Sequence, residues 1–448
     1  MQTRFPVFYA IRQELYDWRL WTGRAVVLAF AALAGLVVVG FTWLTEQAFA
    51  QFLWLKSSYW WSPLLWTPLS TVAIVWLMRR YAIGATGSGI PQVMAALSPE
   101  VSREHVGLYV SVRLTIAKIL LASWGFLAGL SLGREGPSVQ IAAGVMRHAR
   151  RWLPVQSQVS AQGLMMAGGA AGIAAAFNTP LAGVMFAIEE LSRQSPHRSN
   201  GLLLAAIVLG GMMAVSVNGN ATYFGVIRVE NLNMALLLPG LLVAVSCGLA
   251  GGLFARLVVL SLSGQSNDWF SRLRVRSPLR FAAACGLAVA LLGLASHGAT
   301  YGSGYDYTRE MLEGNATESP FYVLLKFVAT WITTWAGVPA GIFAPSLAIG
   351  GALGNDIAQL TSYANAPTLM ALGMAAFLAA VTQAPMTAFI IVMEMVDGHA
   401  LVLSLMASAL VASGVSRLIS APFYTSLAQL QLQRLPLRND QKKSPEGL

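Results

Sequence analysis

A chain of 448 residues that is 56% hydrophobic and only 11% charged is not an ordinary soluble domain, which usually carries about 25% charge. Its mean hydropathy of +0.61 predicts a polytopic membrane protein. The net charge of +10 does not signal nucleic acid, because the basic residues lie mostly in short clusters between apolar runs, as in cytoplasmic loops and headgroup contacts.

Residues 1–24 mix charge and aromatics (Arg4, Arg12, Glu14, Asp17, Arg19, Arg24) with no cleavable signal, which predicts a cytoplasmic N-terminal segment able to form an interfacial helix. The run from Ala25 to Trp43 is then an uncleaved anchor, and Ser62 to Met78, closed by Arg79-Arg80, is a second span. Gly84-Ala85-Thr86-Gly87-Ser88-Gly89-Ile90-Pro91-Gln92 reads as a glycine-rich turn before a short helix. Ser88 could offer a hydroxyl to an anion there, although a serine between glycines is more often only a turn residue. Val106 to Leu132 is the next span and carries Arg113 and Lys118.

Gly133-Arg134-Glu135-Gly136-Pro137 follows, and the chain is organised around it. Pro137 suits the first turn of a helix, where its missing N–H costs nothing. A helix starting here aims free N–H groups and a positive dipole end at the glycines, a ready seat for an anion. Glu135 sits where that anion would sit, so it can act as a plug that moves aside, or as a proton carrier if buried. At a soluble helix it would be only a favourable first-turn glutamate; inside a membrane an acidic residue points to function. The helix ends at Arg147-His148-Ala149-Arg150-Arg151, short of the roughly 20 residues a crossing needs. Such a short, glycine-broken helix is expected at a transport site.

Met166 to Gly183 is rich in small residues that permit close packing, and it runs on through Ile188 to Glu189-Glu190. Arg193, His197 and Arg198 place that end towards the cytoplasm. Further apolar stretches cover Gly201 to Val217, Met234 to Leu262 and Phe281 to Ser296, the last two separated by a basic loop with Arg272, Arg274, Arg276 and Arg280. Tyr301 to Ser319 is polar and turn-like. Phe321 to Val338 returns to the membrane, and Ala340-Gly341-Ile342-Phe343-Ala344-Pro345 opens another helix. Thr368 to Met395 and Leu401 to Ile419 finish the bundle, and Ala421-Pro422-Phe423-Tyr424 leads into a short polar tail. Cys247 and Cys285 lie in apolar stretches and read as small core residues.

An internal repeat is visible. Gly87-Ser88-Gly89 recurs as Gly302-Ser303-Gly304, and Gly133, Pro137, Ser138 and Ile141 as Gly341, Pro345, Ser346 and Ile349. Gly168, Ala170, Ala171, Ala174, Ala175, Pro180 and Glu189 recur as Gly373, Ala375, Ala376, Ala379, Ala380, Pro385 and Glu394. The pairs lie about 205 to 215 residues apart in the same order, as in transporters with the site between two halves. Residues 25–225 and 226–425 are therefore the expected halves, with 426–448 a cytoplasmic tail. Glu189 has a partner, Glu394, and fits the shared scaffold at a helix end. Glu190 pairs with Met395 and Glu135 with Phe343, so these two carboxylates break the repeat as functional additions would. Lys118 pairs with Lys326 and reads as a snorkelling or paired lysine.

Four boxes resemble the CLC family of chloride channels and proton-coupled chloride transporters: Gly87-Ser88-Gly89-Ile90-Pro91, Gly133 to Pro137, Gly341 to Pro345, and Tyr424 after the last span. The resemblance runs from about Gly84 to Tyr424. It implies an all-α polytopic membrane protein of two inverted-topology repeats, whose short, broken, tilted helices bring their N-termini to a central anion site. It implies a homodimer with one pathway per subunit, in the inner (plasma) membrane and in contact with its lipid. Chloride would be held by the hydroxyls of Ser88 and Tyr424 and by the N–H groups of Gly136, Ile342 and Phe343. Glu135 would be the outer gate and proton carrier, and Glu190 would take up protons from the inside. Family channels generally lack a carboxylate at the Glu190 position, which favours a chloride/proton antiporter over the alternative, a passive voltage- or proton-gated chloride channel. Ser88 favours chloride over nitrate, and the fluoride-exporting branch departs from this serine and tyrosine pattern. Ala340 departs from the family, where many relatives carry a second glycine. The pair of nucleotide-binding domains of some relatives is not expected.

Chloride and protons are expected as transported ions, with no cofactor, metal or nucleic acid. No His-Glu-x-x-His spacing and no Ser/His arrangement suggests an enzyme among His105, His148, His197, His297 and His399.

Overall fold

The computed structural model describes residues 18–154, 159–193, 201–219, 223–224, 234–264, 268–314 and 321–433. Expectations for residues 1–17, for His197 and Arg198, and for residues 434–448 lie outside the described residues.

The first half holds α1 (Trp18–Ser58), α2 (Ser62–Tyr81), α3 (Ile90–Leu97), α4 (Val112–Leu127), α5 (Glu135–His148), α6 (Ala161–Phe177), α7 (Pro180–Glu189) and α8 (Gly201–Asn218). The second holds α9 (Leu237–Ser263), α10 (Trp269–Arg276), α11 (Pro278–Ala295), α12 (Tyr305–Leu312), α13 (Tyr322–Ala336), α14 (Phe343–Thr361), α15 (Ala366–Thr382), α16 (Pro385–Met395), α17 (Val402–Arg417) and α18 (Phe423–Gln433). With α10 and α18 set aside, α9 and α11–α17 repeat α1–α8 in order. Among the described residues there is no strand, only an isolated antiparallel bridge between Gly133 and Gly341. Six helices, α1, α4 with its leading turn, α8, α9 with its leading turn, α11, and α17 with its leading turn, are long and apolar enough to cross a membrane. The rest are shorter, apart from α2 and α14, which have the length but not the apolar window of these six.

Contacts between the halves are reciprocal. Gly133 N–H donates to Gly341 O at 2.7 Å, and Gly341 N–H returns to Gly133 O at 2.9 Å. The Glu189 carboxylate accepts from the N–H groups of Met386 and Thr387 (3.1 and 2.6 Å) at the start of α16. Glu394 does the same for Leu181 and Ala182 (3.2 and 2.8 Å) at the start of α7. Each carboxylate caps the other half's helix, where the dipole favours negative charge. Lys118 Nζ binds Ala85 O and Gly87 O (2.8 and 2.6 Å), and Lys326 Nζ binds Thr300 O and Gly302 O (3.0 and 2.8 Å). Both lysines are fully buried, so neither snorkels; each ties down the glycine turn of its own half. Small residues let the paired helices touch: a Cβ on Gly350 would stand 2.2 Å from Gly373 O, and one on Gly373 2.1 Å from Gly350 O.

Several boundaries differ from the sequence expectation. The first helix does not stop near Trp43 but continues through Glu46 to Ser58, because polar residues end an apolar run without ending a helix. The span expected from Val106 starts at Val112, where Ser111 Oγ accepts from Leu114 N–H at 3.4 Å. The run from Met166 to Glu189 is two helices, broken at Asn178, whose φ is +60°. The run from Thr368 to Met395 breaks likewise at Gln383, with φ +55°. Proline at the first position of α7 and of α16 starts the new helix in both cases. The basic loop contains α10, and the polar stretch after Tyr301 contains α12. Tyr424 lies within α18, which packs on α3 and carries helix into the expected tail as far as Gln433.

Candidate functional site

The Gly133–Gly341 bridge brings the first turns of α5 and α14 head to head. Glu135 opens α5 and is fully buried. Its Oε2 accepts from Ala344 N–H at 3.4 Å, and its Oε1 has no hydrogen-bond partner. The carboxylate therefore occupies the positive end of the opposing helix, the place a small anion would take. A Cβ on Gly133 would stand 2.3 Å from Glu135 Oε2, so glycine is needed there for the carboxylate to fit.

The other predicted residues gather around this point. Gly89, at φ +106°, turns the chain into α3, and the Lys118 ammonium holds the preceding carbonyls. That fixes Ser88 against α5: a Cβ on Gly136 would fall 2.2 Å from Ser88 Oγ. Ile342 precedes α14 and Phe343 opens it, both buried. First-turn N–H groups such as those of Gly136 and Phe343 lack intrahelical acceptors, as does that of Ile342 just before its helix. Tyr424 is fully buried and stacks on Phe343 at 5.9 Å between ring centroids. The hydroxyls of Ser88 and Tyr424 are both buried and make no hydrogen bond. Buried polar groups are normally satisfied, so two bare hydroxyls beside two helix N-termini form a seat for a ligand that accepts hydrogen bonds. Ala340, buried beside this seat, has an ordinary negative φ, so its methyl group is accommodated without backbone strain.

Glu190 follows α7 and is 1% exposed. Neither carboxylate oxygen makes a hydrogen bond, and its nearest cation is Arg193 Nη2 at 3.6 Å. A narrow cleft lined by Glu190, Phe186, Thr387, Phe343 and Tyr424 joins this carboxylate to the central seat, with no room for a water molecule. A separate cavity leads to Ser88 and Ile342 from the side of Arg274, Leu430 and Gln431. Glu190 shares this cleft with Phe343 and Tyr424, whereas Glu135 sits against Ala344 N–H in the first turn of α14. Arg134, whose orientation the sequence left open, turns away from the seat into a further cavity with Glu46 and Tyr223.

Four features were not read from the sequence: the Ala344 N–H, the aromatic wall of Phe177 and Phe186 against Phe343, the Thr387 hydroxyl in the Glu190 cleft, and the Glu46 partner of Arg134. Of these only Glu46 carried a signal, as a lone carboxylate in a long apolar helix. Among the described residues no group of histidine, cysteine or carboxylate side chains could hold a metal ion. Cys247 and Cys285 are buried free thiols.

The sequence pattern of the family described as "Voltage gated chloride channel" matches residues 69–417. The H(+)/Cl(-) exchange transporter ClcA of Klebsiella pneumoniae (strain 342) is 31% identical over 443 residues, covering 92% of this chain and 90% of the relative. ClcA of Citrobacter koseri is 31% identical over 369 residues, covering 78% and 75%. Among solved structures, a slow cyanobacterial Cl-/H+ antiporter superposes with a TM-score of 0.78 at 25% identity, over 92% of this chain and 99% of that one. A CLC-type fluoride/proton antiporter shares the fold with a TM-score of 0.75 at 23% identity, over 95% and 99%.

Proposed function

Because the chain belongs to the voltage-gated chloride channel family, we propose that it is a secondary active transporter that exchanges chloride for protons. The observation that carries this reading is the pair of buried carboxylates, Glu135 at the helix N-termini of the anion seat and Glu190 in the cleft that reaches Phe343 and Tyr424. A passive pore needs the seat but has no use for a second buried carboxylate.

In this reading Ser88 Oγ, Tyr424 OH and the N–H groups of Gly136, Ile342 and Phe343 hold chloride. They supply partial charges, which bind an anion firmly enough to select it and weakly enough to release it. Glu135 is gate and proton carrier: its carboxylate takes the anion's place at α14, and it must leave for chloride to pass. Chloride and the ionised carboxylate exclude each other there, which links the movement of the two ions. Glu190 takes up protons from the cytoplasmic side. We place the protein in the plasma membrane as a homodimer, one pathway per subunit, with no cofactor and no catalytic activity.

The test is proton movement in proteoliposomes driven only by a chloride gradient. Uphill proton movement is expected from the wild type. Glu135→Gln is expected to move chloride without protons, and Glu190→Gln to block protons while chloride continues. Chloride flux with no proton movement in the wild type would overturn exchange in favour of a channel; proton pumping by both variants would overturn the assigned roles.

A further inference from the structure

The cavity around Arg134 holds an ion pair that the central seat does not use. Arg134 Nη1 lies 2.6 Å from Glu46 Oε1, and Nη2 donates to Tyr223 OH at 3.0 Å. The guanidinium also lies over the Tyr223 ring, 5.7 Å from its centroid. Tyr223 is itself held, its carbonyl accepting from Tyr305 OH at 2.7 Å. The Arg134 side chain is 11% exposed and Glu46 57% exposed, so the cation is fixed and the carboxylate can swing into solvent. Both line a cavity of about 590 Å³ with Asn178, Asn218, Tyr223 and Tyr305. Arg134 is the residue before Glu135, so an anion in this cavity is one residue from the gate. Asp306, at the start of α12, adds a second carboxylate within electrostatic range. This is an unusual entrance for an anion: one cation, covered by a carboxylate.

We propose that Arg134 and Glu46 form an anion-capture site, in which chloride entering the cavity displaces the Glu46 carboxylate from Arg134 before it reaches Glu135. This rests on the reading of the chain as a chloride transporter. A bare guanidinium in a half-dry cavity would hold chloride too firmly for onward passage, and an uncovered carboxylate would repel it. Competition between carboxylate and chloride for one cation gives weak, exchangeable capture. Arginine presents five N–H donors in a fixed fork, which suits exchange of one anion for another.

The test is the chloride KM of exchange, with chloride varied on one face of the membrane and then on the other. On the face that opens to Arg134, Glu46→Gln should lower KM by about threefold or more, because the cation is uncovered. Arg134→Gln should raise it by a similar factor, and Arg134→Lys should fall between Arg134→Gln and the wild type. KM on the opposite face should not move, and added inert salt should shrink both shifts. An ion pair that only braces α1 against α5 would shift KM in the same direction in both variants, or lower thermal stability with no change in KM. Either result overturns the capture site and leaves exchange intact. Folded wild-type protein that moves no chloride would overturn both.

Discussion

At the residue scale, the site depends on what is missing as much as on what is present. Gly136 has no Cβ, and Ser88 Oγ sits where one would be, 2.2 Å away. Gly136→Ala must push Ser88 aside; overpacking of this kind costs about 1–3 kcal/mol, so chloride affinity should fall about tenfold with the fold intact. Chloride titration of purified protein checks this, and unchanged affinity would separate Ser88 from the seat. Tyr424→Phe makes the opposite kind of change. Its hydroxyl is buried without a partner, so its loss breaks no protein hydrogen bond and should leave thermal stability within about 0.5 kcal/mol. Chloride affinity should still drop severalfold; a large loss of stability instead would show that the hydroxyl serves the fold. Gly136 and Ser88 were legible in the sequence because glycine, proline and lone polar residues stand out against an apolar background, whereas Tyr424 was reached only through the family resemblance. Ala344 was not legible. It contributes a backbone N–H, which every residue but proline carries, and only the position of α14 assigns it a role.

At the scale of elements, the two halves share a scaffold and differ in use. Lys118 and Lys326 tie down equivalent turns through equivalent carbonyls, but only the first turn presents its serine to the seat. Ser303 in the second turn instead accepts from Tyr305 N–H at 3.2 Å. Lys118→Met and Lys326→Met should therefore destabilise the protein to a similar degree, each taking the donor from one buried carbonyl, Ala85 O or Thr300 O, while Gly87 O and Gly302 O keep the N–H groups of Ala340 and Leu132. Lys118→Met should in addition weaken chloride binding, whereas Lys326→Met should not. Thermal melts with and without chloride read both effects, and equal chloride shifts in the two variants would contradict the asymmetry. The pairing of Glu189 with Glu394 was legible as a shared helix-end feature, and the structure adds that each caps a helix of the other half. The breaks at Asn178 and Gln383 were missed because the apolar residues run on across them. Pro180 and Pro385 were the available signals, since proline is favoured at the start of a helix and disfavoured in its interior.

At the scale of the molecule, two separate clefts approach the one seat. One reaches Ser88 and Ile342 through the cavity beside Arg274, Leu430 and Gln431. The other reaches Phe343 and Tyr424 through the dry cleft from Glu190. The repeat predicted a site between the halves, but the division of routes depends on α18 and on how α7 and α16 pack, which no local pattern encodes. If chloride takes the first route and protons the second, obstruction has different consequences on each. Leu430 is half-buried at the wall of the chloride cavity, so a larger side chain can be placed there without disturbing the packed interior. Leu430→Trp should slow chloride several-fold. Protons should slow by the same factor, because each Glu135 cycle needs the anion to arrive, and the ratio of the two fluxes should hold constant. Glu190→Gln should instead lower proton flux alone and change the ratio. Simultaneous recording of chloride and proton flux from one population of proteoliposomes separates the cases. A ratio that moves in Leu430→Trp would mean that protons and chloride compete for the same passage.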